Sequence, residues 1–207
     1  MELLVVMAII SLLASILMPA LAKAREKGRQ ANCINNLKQF AYALEMYRQD
    51  YNDWPPWLSN LYPNYNSSKG LYLCRTDPYQ GTHGHGNISF LETGDYSGNT
   101  NPDPAIVLRN PAIEACSYFY EFCAAECAWW EVAHGTVGDR NGDEKVSWKE
   151  AKMAQMQGLD NTPAFGGHVP VIRCFWHNLA QSGPVLNLAG EDYNVYLSGS
   201  EWETSSR

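Results

Sequence analysis

From Leu3 to Met18 the chain carries no charged residue, and Ser11 and Ser15 are the only polar positions in that run. Such a segment cannot stand exposed in water; it must lie in lipid, in a core, or against other apolar helices. A cleaved secretory leader needs a basic region ahead of the apolar run and a small-residue cleavage site behind it. Here Glu2 precedes the run, and helix-forming sequence follows it without a break. The run is at the short end for a bilayer span, with an acid at its start and Pro19 near its end.

Past Pro19 the helical pattern continues. Ala20, Ala22, Ala24, Ala31, Leu37, Phe40, Ala43, Leu44 and Tyr47 recur at spacings near three and four, with polar residues between them. The helix should stop before Trp54-Pro55-Pro56, because the residue ahead of a proline disfavours the α conformation. A helix of about 50 residues is about 75 Å long, more than a small domain can bury. The expected organisation is therefore an N-terminal helix over 1–52 and a globular head over 53–207. Residues 1–22 of the helix are apolar, and residues 23–52 are amphipathic and pack on the head.

Glu2-Leu3-Leu4-Val5-Val6-Met7-Ala8-Ile9-Ile10, Pro19, and Ala24-Arg25-Glu26-Lys27 resemble the N-terminus of type IV pilins and type II secretion pseudopilins. Mature chains of that family open Phe-Thr-Leu-(Ile or Met)-Glu, so Glu2 aligns with the family glutamate. Met1 aligns with the residue before it, and the resemblance implies further residues upstream. Cys33-Ile34-Asn35-Asn36-Leu37-Lys38-Gln39, Leu44-Glu45-Met46-Tyr47 and Leu73-Cys74-Arg75-Thr76-Asp77-Pro78 are similar to one pilin-like branch. His177 resembles a histidine ahead of a C-terminal strand pair there, without the Asp-Gly expected ten residues later.

The resemblance implies a helix partly melted near Pro19 and polymerisation through that helix. Glu2 would meet the N-terminal amine of a neighbouring subunit, since a carboxylate in an apolar setting is costly unless paired. The expected function is the major subunit of an extracellular type IV pilus-like filament. The expected partners are copies of itself, the inner membrane before assembly, and the pilus assembly machinery. A type II secretion pseudopilin and a monomeric, membrane-anchored, calcium-dependent binding module are the alternatives.

In the head, short β-branched or aromatic runs mark strands at Lys69–Leu73, Ala105–Leu108, Val169–Phe175, Val185–Leu188 and Tyr193–Leu197. Helical spacing marks Ala112–Val132 and Trp148–Met156, and a Gly-, Asn- and Pro-rich stretch from Gly81 to Asp103 reads as a surface loop. The fold class is α+β with an antiparallel sheet. Six cysteines (Cys33, Cys74, Cys116, Cys123, Cys127, Cys174), without a C-x-x-C pair and too scattered for a zinc ribbon, point to disulfides in an oxidising compartment, with buried free thiols in a cytosolic protein as the alternative. Cys74 and Cys174, each in a strand-like setting, are the favoured pair. Cys123 and Cys127, one helical turn apart, are placed to bond outward to Cys116 or Cys33.

The stretch 139–150 fits the twelve-residue EF-hand loop. Asp139, Asn141 and Asp143 fall at positions 1, 3 and 5, the Lys145 carbonyl at 7, Ser147 at 9 and Glu150 at 12, so calcium is the expected cofactor. Glu144 stands where glycine is usual, which calls for a non-glycine residue at positive φ. No helix is expected to enter the loop, leaving loop plus exiting helix. The same residues also suit an acidic turn that caps a helix.

Other chemistry has little support. A formal net charge of −7 argues against nucleic acid as the main partner. No nucleophile elbow and no phosphate-binding glycine loop is present, so a structural protein is expected and not an enzyme. His83 and His85 in the glycine-rich stretch read as solvated, and Asn66 and Asn87 open acceptor sequons.

Overall fold

The computed structural model describes residues 2–82, 109–127, 138–158, 168–177 and 185–199. His83, His85, the Asn87 sequon, the strand expected at Ala105–Leu108, most of the Gly81–Asp103 stretch and the approach to the 139–150 loop at 134–137 lie outside these residues.

The first element, α1, is one helix over Glu2–Tyr51. It ends three residues before Trp54, as the Trp-Pro-Pro sequence requires. The helix runs through Pro19, so the partial melting expected there is not a feature of the single chain. Proline removes one hydrogen bond from a ladder that many flanking turns still hold. The Ser11 and Ser15 hydroxyls fold back onto the carbonyls of Met7 and Leu12, at 2.8 and 2.7 Å.

The two halves of α1 have different surroundings. Cys33, Leu37, Phe40 and Leu44 follow one another at steps of four, three and four, and all are buried. Phe40 sits edge-on to Tyr72 and Tyr118, with ring centroids 5.1 and 5.6 Å away. Arg48 stacks over Trp54 and donates to the Tyr193 hydroxyl at 2.9 Å. Ahead of Cys33, no described residue of α1 is buried.

Among the described residues, the head holds an antiparallel four-stranded sheet in chain order: β1 (Phe119–Tyr120), β2 (Pro170–Cys174), β3 (Val185–Ala189) and β4 (Val195–Ser198). The strand expectations at 169–175, 185–188 and 193–197 therefore hold to within two residues at either end. Every residue of β2 and β3 is buried. A second helix, α2 (Trp148–Gln157), matches the expected one. Glu121 joins these parts in a buried ion cluster, 3.0 Å from Lys152 on α2 and 3.2 Å from Arg173 on β2.

Two expectations are corrected. Lys69–Tyr72 is a 3-10 turn, not a strand; it turns both Leu71 and Tyr72 into the core, whereas a strand sends neighbours to opposite faces. Within 112–132, the described residues up to Cys127 form no α-helix. Their backbone donors go elsewhere: Cys116 to Gly81, Ser117 to Tyr72, Glu121 to Val171, Ala124 to Pro56 and Cys127 to Val146. These tertiary bonds override the local helical preference of a stretch that holds four Ala and three Glu between residues 112 and 127.

Candidate functional sites: apolar helix, oxygen loop and sulfur–imidazole cluster

The exposed half of α1 is the largest feature. Its large apolar side chains from Leu3 to Leu21 are between 52% and 76% exposed. Mean hydropathy reaches 2.6 over its most apolar 18 residues, long and apolar enough to cross a membrane. Glu2 opens this helix and Pro19 lies within it.

The loop 139–150 is folded by its own side chains. Asp139 Oδ1 accepts from the N–H groups of Asn141 and Gly142, at 3.2 and 2.8 Å, and Oδ2 from Glu144 at 3.1 Å. Asn141 accepts from Asp143 N–H at 2.8 Å, and Asp143 from Lys145 N–H at 2.9 Å. These successive Asx turns wind the chain around the residues expected to hold calcium. Glu144 has φ 66°, the left-handed value expected for a non-glycine residue at that position. Ser147 caps α2 in a capping box with Glu150, whose Oε2 takes Ser147 N–H at 2.9 Å while Oε1 takes Arg140 N–H at 3.2 Å. Glu150 is thus engaged as a helix cap, and Val146 is pinned from behind by Cys127 N–H at 2.7 Å.

No disulfide forms among the six cysteines, all of which are buried thiols. The Cys74–Cys174 bridge and the outward bridges from Cys123 and Cys127 are accordingly not made. Cys74 and Cys174 are neighbours, but within a larger group. Together with Cys33 and His177, their ligand-type atoms lie within 4.8 Å of one another, and all four residues are buried. Cys33 comes from α1, Cys74 from the loop after the Lys69–Tyr72 turn, Cys174 from the end of β2, and His177 from the turn that follows.

Each member is held from outside. Cys33 sits on the buried stripe of α1 and accepts from the Tyr118 hydroxyl at 3.6 Å. Asn36, one turn on, donates to that hydroxyl at 3.1 Å and to the Leu73 carbonyl at 3.3 Å, fixing the approach to Cys74. Beyond Cys74, Asp77 accepts from Tyr79 N–H (2.8 Å), Gly81 N–H (2.6 Å) and the Ser117 hydroxyl (2.7 Å), closing the loop tightly. Gly81 has φ 75°, and a Cβ there would meet the Cys116 backbone at 2.6 Å, so only glycine fits. His177 points Nε2 at Cys74 Sγ, 3.4 Å away, and Nδ1 at Glu26 Oε1, 2.9 Å away.

Electrostatics follow from this packing. Hydrogen bonds from Cys174 and then Cys33 push the Cys74 thiol far below its usual range. Burial pushes Cys174 well up. Burial alone would lower His177, but contacts with Cys33, Cys74 and Glu26 outweigh it and raise the imidazole to about 10. Sequence reading pairs Cys74 with Cys174 and offers Cys33 as a bridge partner of Cys123 or Cys127, without placing Cys33 or His177 beside that pair. The available signal was Cys174-Phe175-Trp176-His177, a short chelating spacing.

The family model described as "Protein of unknown function (DUF1559)" matches residues 22–71. That segment contains Glu26, Cys33 and Asn36 and stops just before Cys74. This match and the apolar helix are compatible with a pilin-like N-terminus. No curated protein and no solved structure matches the chain.

Proposed function

We propose that this chain is the major structural subunit of an extracellular type IV pilus-like filament, held in the inner membrane before assembly and bundled with its own copies afterwards. The observation that carries this is the exposed apolar segment of α1, about 27 Å long from Leu3 to Leu21 at 1.5 Å per residue, on a helix whose other end is built into the head. A soluble monomer does not leave so large an apolar surface uncovered. Lipid covers it first and the same half of neighbouring helices covers it next. Handing one surface from membrane to filament needs no catalytic group, and a non-enzymatic role fits.

Glu2 supplies the recruitment contact in this reading, and calcium in the 139–150 loop stiffens the outward face of the head. The test is expression of the full chain with a pilus-type assembly machinery, scored for sedimentable polymer. Glu2→Ala should remain folded and membrane-inserted yet yield little polymer. Wild-type polymer yield from that variant, or absence of polymer from the parent chain, overturns the proposal.

A further inference from the structure

The geometry points to a structural zinc site formed by Cys33, Cys74, Cys174 and His177, which staples the long helix to the head. The inference stands on the single subunit and does not depend on the filament reading.

The donor set is the first argument. Three thiols and one imidazole form one of the recurrent tetrahedral ligand sets of structural zinc. The second is size. With Zn–S near 2.3 Å and Zn–N near 2.0 Å, tetrahedral angles put ligand atoms about 3.5–3.8 Å apart. Cys74 Sγ and His177 Nε2 are already 3.4 Å apart, and no pair in the set exceeds 4.8 Å. Closing onto a metal needs shifts of about 1 Å or less.

The outer contacts are the third argument, and the most specific. A zinc-bound histidine usually gives its other ring nitrogen to a carboxylate, which fixes the tautomer and the ring plane. His177 does this with Glu26 through Nδ1, leaving Nε2 to face the sulfurs. Glu26 lies two turns before Cys33, on the same face of α1, so one helix supplies both a ligand and the carboxylate that orients another. Arg29 pairs with Glu26 at 2.9 Å and offsets its charge. Tyr118 donates to Cys33 and steadies a thiolate there.

A disulfide explains less. It would join two sulfurs and leave the third sulfur and the imidazole converging on nothing. A nucleophilic cysteine is also disfavoured, because Cys33, Cys74 and Cys174 are no more than 3% exposed. A groove lined by Asn32, Asn36, Gln39, Leu73 and Asp77 leads to Cys33 and Cys74 and offers a metal a way in. Binding displaces the protons that the cluster carries on its thiols and on His177 Nε2, and involves no redox step.

The experiment uses the full chain, purified in detergent without chelators, with metal content measured by mass spectrometry and thiols counted in parallel. One zinc per chain is expected. Cobalt exchanged into the site should give the intense visible absorption of a tetrahedral thiolate complex. Cys33→Ser and His177→Ala should each lower zinc affinity at least tenfold, and Glu26→Gln about tenfold through orientation alone. Cys127→Ser removes a buried thiol outside the cluster and should keep the full equivalent of zinc, which separates ligand loss from loss of fold. No zinc on the reduced chain, a Cys74–Cys174 disulfide in the native protein, or equal metal loss from Cys127→Ser would overturn the proposal.

Discussion

The loop at 139–150 draws its oxygen donors from twelve consecutive residues and buries only Glu150 among those donors, whereas the sulfur–imidazole cluster draws donors from residues as distant as Cys33 and His177 and buries them all. The loop is shaped from within: Asp139, Asn141 and Asp143 satisfy the backbone of the next few residues, and Glu150 already caps α2. The cluster is shaped from without, because α1, the Cys74 loop and β2 must all be docked before its members meet. A cation in the first would tighten a local turn, while a cation in the second would report, and enforce, the docking of the whole head on its helix.

Metal removal gives the largest expected contrast. A metal present at about a thousandfold over its Kd adds about 4 kcal/mol to folding. A loop with the millimolar-range affinity of extracellular calcium sites adds about 1 kcal/mol at tenfold excess. Thermal unfolding of the full chain should therefore fall steeply with a zinc-selective chelator and only slightly with EGTA. The reverse order would place the principal staple in the loop. Gly81→Ala should break the buried site while sparing the loop. It combines a left-handed φ with a Cβ against the Cys116 backbone, together costing about 2–4 kcal/mol. Because Asp77 holds Gly81 and presents Cys74, zinc retention should drop with stability while the response to calcium persists. Unchanged urea unfolding would remove this loop as the support of Cys74.

The same contrast explains what could be read before the fold was known. The end of α1, the α2 helix and the positive φ of Glu144 follow from proline placement, periodicity and loop register, all local. The helix expected over Ala112–Val132 does not form in the part described, up to Cys127, because Ser117 and Glu121 donate to Tyr72 and Val171, partners no local window contains. Cysteine arithmetic pairs sulfurs two at a time, so Cys74 and Cys174 surfaced as a bridge. Cys33 is hidden among helix core positions and His177 follows a strand. Only the docking of α1 at the Phe40, Tyr72 and Tyr118 contact brings the four into one place.

The smaller predictions fall on the loop. Ser147→Ala removes the N-cap that accepts Glu150 N–H at 3.3 Å and should cost about 1 kcal/mol. Zinc content should stay fixed, because the cap touches none of the four ligands. A loss of zinc in this variant would mean that the loop and the cluster are coupled through α2 and the Glu121 ion cluster.

Glu144→Gly should have the smallest effect and the opposite sign. At φ 66° the glutamate pays a steric penalty that glycine does not, while glycine adds freedom to the unfolded chain. The net gain should be a few tenths of a kcal/mol up to about 1 kcal/mol. Equilibrium unfolding with and without calcium divides the outcomes. If the loop binds calcium, the glycine variant should be stabilised more when calcium is present, because relief of strain lets the ligands close around the ion. An equal gain in both conditions would assign the 139–150 segment to capping α2 alone, with Glu150 serving the helix and not a cation.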